Sequence, residues 1–175
     1  YAYARKRDYE KALEICEWLI QDETTEIGGY RERSAVYSHM GDIKAAIRDQ
    51  QYVISKGSEE PWDFFHLGLL QLEQSLAAQA ADSFGMAVAM GDKAEYYYYR
   101  ESALFFRAVA YLESGDFERA IQNCAEVAAD FETYVRTTTF RGMRSREDIL
   151  NAAHAALEAR AHRGTSVEGE DCSEG

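Results

Sequence analysis

The sequence predicts an all-α solenoid of antiparallel helix pairs, closed by a C-terminal capping helix. Three observations carry the prediction. A Gly-Asp pair followed by an apolar stripe at helical spacing, GDIKAAI at 41–47, returns as GDFERAI at 115–121. Looser versions, RDYEKAL at 7–13 and SLAAQAA at 75–81, place a small residue at the same point, so Ala12, Ala46, Ala80 and Ala120 form one column with steps of 34, 34 and 40. A fixed period of this size, with a helix on either side of a turn, is the signature of a helical array. Finally, one proline in 175 residues and abundant Ala, Glu, Leu and Gln suit helix throughout.

Flanking columns keep the register. Cys16, Gln50, Phe84 and Cys124 stand four residues after the alanines, and Leu19, Val53, Ala87 and Val127 seven after. Tyr3, Tyr37, Gln71 and Tyr111 stand nine before; the small residues Ser34, Gly68 and Ala108 twelve before; Tyr30, Phe64 and Leu104 sixteen before. Small residues suit close helix crossings, and larger ones fill the space between units. This pattern resembles the tetratricopeptide repeat over roughly residues 1–130, which implies a right-handed superhelix of 34-residue helix–turn–helix units. It is weakest in the third copy, where Gln71 replaces the aromatic and no Gly-Asp marks the turn. The expected organisation is a solenoid over 1–163, with a partial repeat at 1–26, repeats at 27–60, 61–94 and 95–134, a capping helix at 145–163 and a disordered polar tail at 164–175.

In chain order, residues 1–4 read as the end of a helix, and Asp8 caps the next one, which runs to about Asp22. DETTEIGG forms a loop, followed by helices near 28–40 and 42–55. Pro61 opens the third repeat from the first helical turn, where its missing N–H has no consequence. The helix over 62–74 is apolar on almost every face, and its partner covers about 76–90. Gly91-Asp92 is read as a stop and a new cap, with Glu95 completing a capping box and a lengthened helix over 93–114. That helix carries four consecutive tyrosines, Tyr96 to Tyr99, which point in four directions and cannot all be buried. An unbroken apolar stripe predicts one helix from Asp116 to about Arg136, with a break capped by Asp130 as the competitor. SRED at 145–148 starts the last helix, which ends near His162.

Composition narrows the function. A net charge of −12 disfavours nucleic acid, whose phosphates reward Lys and Arg, and leaves basic proteins or peptides as partners. The three cysteines form no disulfide framework: Cys16 and Cys124 read as small hydrophobes in a reducing, cytoplasmic compartment, and Cys172 lies in the tail. No apolar run is long enough to span a membrane. The chain opens at Tyr1 rather than Met, so a missing leader peptide carries no weight. His39, His66, His154 and His162 are scattered, HExxH, GxSxG and phosphate-binding glycine loops are absent, and no metal, cofactor or catalytic residue is expected. Arg136, Arg141, Arg144 and Arg146 are the one basic cluster, best explained as solvated positions.

The resemblance implies that first helices line a concave face where partner peptides lie. That face carries Gly28, Arg31, Ala35, Ser38 and His39, then Trp62, Phe65, Leu69, Leu72 and Glu73, then Ser102, Phe105, Val109, Leu112 and Glu113. Relatives that clamp a terminal carboxylate use Lys, Asn and Arg there, whereas here Arg31 is the sole cation among mostly apolar places. An apolar trough suits an amphipathic helix or an extended apolar peptide. The expected function is therefore a non-catalytic interaction module of adaptor, chaperone or immunity type, with Arg31, Ala35, Trp62, Phe65, Leu69, Leu72, Phe105, Val109 and Leu112 as partner-binding residues. The alternative is an architectural protein whose groove is filled by its own chain or by a second copy in a homodimer.

Overall fold

The structure, a computed structural model, describes residues 8–93, 100–131 and 145–167. The readings of residues 1–4, Glu95, the tyrosine run, Arg136 to Arg144 and the end of the tail lie outside these. Among the described residues the chain forms eight helices: α1 (Tyr9–Ile20), α2 (Glu26–Met40), α3 (Ile43–Ser55), α4 (Pro61–Glu73), α5 (Ala77–Lys93), α6 (Arg100–Glu113), α7 (Phe117–Cys124) and α8 (Arg146–Val167). Each packs on its neighbour in sequence, and α6 also meets α4 and α8. The result is an α-solenoid of helix pairs with α8 against its last pair.

The repeat columns are core columns. Ala46, Ala80 and Ala120 are wholly buried, as are Ser34 and Ala108, and a Cβ on Gly68 would meet the Phe84 ring at 2.7 Å. Both Gly-Asp turns have one geometry. Gly41 and Gly115 are left-handed at φ 84° and 80°, while Asp42 and Asp116 accept the Ala45 and Arg119 N–H groups. The N–H groups of Asp42 and Asp116 close back on the Tyr37 and Tyr111 carbonyls. The third pair makes the same turn without glycine. Ser75 takes φ 58°, and Leu76 N–H bonds to the Gln71 carbonyl at 2.8 Å. Gln71 is buried and its Oε1 accepts from Ser83 Oγ at 2.7 Å, so the odd residue in an aromatic column has its own partner.

Four expectations about elements are corrected. The loop after α1 is shorter than DETTEIGG: α2 begins at Glu26, and Gly29 lies within it, 2.8 Å from Ile20 by its missing Cβ, so this glycine serves a close crossing of α1 and α2. Gly91-Asp92 neither stops nor caps a helix. Both lie inside α5, Gly91 is buried, and the Asp92 carboxylate accepts from Arg100 at 2.9 Å. The helix from Asp116 ends at Cys124 rather than near Arg136. Beyond it the chain leaves helical geometry with tight three-residue bonds, and its freed groups are taken by distant side chains. Glu101 accepts the Ala128 N–H at 2.9 Å, and Arg146 donates to the Val127 carbonyl at 3.1 Å. Val127 itself stays buried, which is why the apolar stripe reads on unbroken in sequence. Finally, α8 passes its expected end at His162 and runs to Val167, since one interior glycine, Gly164, costs a helix only about 1 kcal/mol.

The main core runs through α4 to α8, with Phe64, Phe65, Phe84, Leu104, Phe105, Phe106 and Ile149 in one cluster. Towards the N-terminus the cores are smaller: Ala12, Cys16 and Val36 in one, and Ile43, Ala46 and Leu70 in another. Polar clasps between paired helices supplement them. Arg33 grips buried Asp49 through two hydrogen bonds of 2.7 and 3.0 Å, and in the same repeat positions Arg107 donates to Asn123, whose amide reaches the Leu104 carbonyl.

Candidate functional site

Position along the solenoid decides which of the expected partner-binding residues remain open. Arg31, Phe65 and Phe105 occupy one repeat position. The Arg31 side chain is 32% exposed, whereas Phe65 and Phe105 are 3% and 0% exposed. Phe105 lies under Phe131, with ring centroids 5.5 Å apart, in the cluster that includes Ile149 of α8. Val109 and Leu72 are likewise buried, and Leu112 packs partly buried against the same core. The expected trough across three repeats is therefore filled by the chain's own core around α6. Phe65, Leu72, Phe105 and Val109 are packing residues there.

At the α2–α4 end an open cleft of about 220 Å³ survives, lined by Arg31, Ala35, Ser38 and His39 from α2 and by Trp62, His66, Leu69, Leu70 and Glu73 from α4. Four of the nine expected residues, Arg31, Ala35, Trp62 and Leu69, come together here. A helical period puts residues 62, 66, 69 and 73 on one edge of α4.

Two of the lining residues, Arg31 and His66, are bonded to a polar seam between α3 and α4. Asp63 has no exposed side-chain surface, and Arg31 binds it bidentately through Nε and Nη2, both at 2.7 Å. Ser58 Oγ donates to its Oδ2, and Gln50 Nε2 donates to both its Oδ1 and its carbonyl at 3.1 Å. Burial alone would raise this carboxyl. The hydrogen bonds from Arg31, Ser58 and Gln50, with the Arg31 charge, outweigh it and hold the group below the ordinary carboxylate value. Gln50 Oε1 lies 3.2 Å from His66 Nδ1, and the His66 ring lies parallel to Trp62 at 5.5 Å. Burial pushes the His66 imidazole down to about 4, so it is neutral at physiological pH. At the rim, Glu73 is exposed over much of its surface, yet desolvation raises its carboxyl.

Sequence reading missed Asp63, Gln50, Ser58 and His66. One signal was present: Gln50 stands in a column otherwise held by Cys16, Phe84 and Cys124, and a polar residue at a core position needs a buried partner. Among the described residues no group of three or more His, Cys, Asp or Glu could hold a metal ion, and no helix is long and apolar enough to cross a membrane.

No protein-family model and no curated protein sequence matches the chain. Solved structures do. A putative kinesin light chain from Podospora anserina, with nearly identical TPR-like repeats, superposes with a TM-score of 0.66 at 16% identity, covering 95% of this chain and 87% of that one. MamA matches with a TM-score of 0.64 at 14% identity over 92% and 95% of the two chains. BtubC from P. vanneervenii matches at 0.63 and 13%, over 99% and 80%. At these identities the likeness is one of architecture, and it agrees with the period read from the alanine column: the chain has the tetratricopeptide-like repeat fold.

Proposed function

We propose that this chain is a non-catalytic interaction module that holds a segment of a partner protein in the α2–α4 cleft. The observation that carries this reading is the cleft itself. Trp62, Ala35 and Leu69 line an open cleft between α2 and α4, whereas the corresponding face around α6 is closed by core packing. The repeat fold supports a binding role, because such arrays present extended concave surfaces. Arg31 is neutralised by Asp63, so the site favours an apolar segment over a terminal carboxylate. An adaptor or chaperone-type role follows from this reading.

Leu69→Glu tests it. A partner captured from native lysate is identified, and its bound segment is titrated in purified form against both proteins. Truncating or charging a central apolar contact is expected to weaken binding by about 2 kcal/mol or more. Leu69 is only half-buried, so helicity and a cooperative melt should persist. Undiminished binding would move the site elsewhere. Light scattering over a concentration series separates the alternative: a dimer abolished by Leu69→Glu would assign the cleft to a second copy of the chain.

A further inference from the structure

We propose that the cleft selects an aromatic side chain bearing its own hydrogen-bond donor, a tryptophan or tyrosine of the partner, with Nε2 of His66 as the acceptor. The inference rests on the reading of this cleft as the partner site and adds what the site recognises. Its origin is the orientation of one amide. Gln50 faces the Asp63 carbonyl and carboxylate, both obligate acceptors, so its NH2 group must point at them, as the two 3.1 Å contacts require. Its oxygen is thereby turned to His66 Nδ1 at 3.2 Å. An amide oxygen can only accept, so Nδ1 carries the proton. In a neutral imidazole the lone pair then sits on Nε2. Burial of the ring keeps it neutral. Among the described residues no hydrogen bond to Nε2 is formed and it is not a fully buried orphan, and His66 is one of the residues that line the cleft.

The size fits one guest side chain. At about 220 Å³ the cleft lies below the roughly 300–1,000 Å³ of sites for drug-sized ligands, so it takes a single large side chain. Trp62 and His66 present parallel rings, 5° apart, beside Ala35 and Leu69. An indole or phenol fills such a space and answers the acceptor with its N–H or O–H. An aliphatic or phenylalanine side chain would fill it and leave Nε2 desolvated without a partner. An anionic guest meets the Glu73 carboxylate and finds the Arg31 guanidinium already held by Asp63.

The test uses the full chain and three probes: N-acetyl-tryptophanamide, its 1-methylindole counterpart, and N-acetyl-phenylalaninamide, each titrated while backbone amide resonances are followed. The expected result is saturable shifts at Ala35, Trp62, His66 and Leu69, with the donor-bearing probe binding about 3- to 10-fold tighter than the other two. In His66→Phe, which keeps an aromatic wall and removes the acceptor, that preference should collapse to within about twofold. Equal affinities at the cleft of the native chain, a preference that survives in His66→Phe, or ring nitrogen spectra placing the proton on Nε2 would each overturn the selection while leaving the cleft as the partner site. Shifts at none of these residues with any probe would overturn the selection and the site together. Should His66→Phe fail to fold, the comparison of the two indoles on the native chain decides alone.

Discussion

The two seams flanking the α4–α5 pair are built on the same repeat positions in opposite chemistry. On one side Gln50 of α3 meets Asp63 of α4 within a buried hydrogen-bond network. On the other the equivalent residues are Phe84 and Ala103, and Phe84 packs against Phe65 and Phe106 with ring centroids 5.6 and 5.8 Å away. An apolar seam gains stability from the area it removes from water and tolerates small shifts. A polar seam works only if every donor and acceptor is matched, so it fixes orientation instead. The difference has a spatial result. Arg31 is drawn onto Asp63 and leaves a cleft open beside it, whereas phenylalanines at the same repeat position are buried in the core further along.

The contrast is broken most severely on the aromatic side. Phe84→Ala removes a wholly buried ring against which Gly68 is fitted, and is expected to cost about 3–5 kcal/mol in urea denaturation. A loss under about 1 kcal/mol would mean that the seam collapses freely around the gap.

On the polar side, Asp63→Ala leaves Gln50, Ser58 and Arg31 without their acceptor and should cost about 3 kcal/mol. The pairing of Arg31→Met with Asp63→Leu should recover at least half of that, because an apolar replacement removes the orphaned groups as well as the bonds. If the double variant is no better than the single one, the seam's geometry matters beyond its hydrogen-bond balance.

His66 makes the polar side pH-sensitive where the aromatic side is not. Its folded value of about 4 lies below the ordinary 6.5, so the unfolded chain binds the extra proton between these values. Stability should therefore fall as pH drops from about 6.5 towards 4, by roughly 1–3 kcal/mol, and His66→Phe should flatten that slope. Urea midpoints at pH 7 and pH 5 measure it, and an unchanged slope in the variant would place the titrating group elsewhere.

The smallest effect is a gain that touches neither seam. Ser75→Gly relieves the left-handed backbone of the third turn and should stabilise by about 1 kcal/mol, equally in backgrounds weakened on either side. A destabilised Ser75→Gly would show that the serine side chain has a role of its own.

The repeat register was legible because it is a one-dimensional property: a column of small residues declares a helix crossing without reference to anything else, as Ala46, Ala80 and Ala120 do. Capping by Asp42 and Asp116 was legible for the same reason, since each cap closes on a residue three positions away. The end of α7 was not, because its substitute partners, Glu101 and Arg146, come from other helices. Nor was the polar seam beside the cleft, whose Arg31–Asp63 pair spans 32 residues. Apolar periodicity showed that Phe105 and Val109 face inward from their helix. It could not say whether that face meets a partner or the chain's own Phe131 and α8.

The early end of α7 bears on where this chain can be cut. An array of like units can ordinarily be shortened at any unit boundary, each piece keeping its own interior. Here the Val127 carbonyl relies on Arg146, the Cys124 thiol leans on the Arg146 carbonyl, and Ile149 and Ala153 complete the core around Phe105. A deletion entering from the C-terminal side before residue 145 removes structural material belonging to α6 and α7. The last three helices are thus tied together by bonds that reach across the chain, and any minimal version of the array has to keep α6, α7 and α8 as one piece.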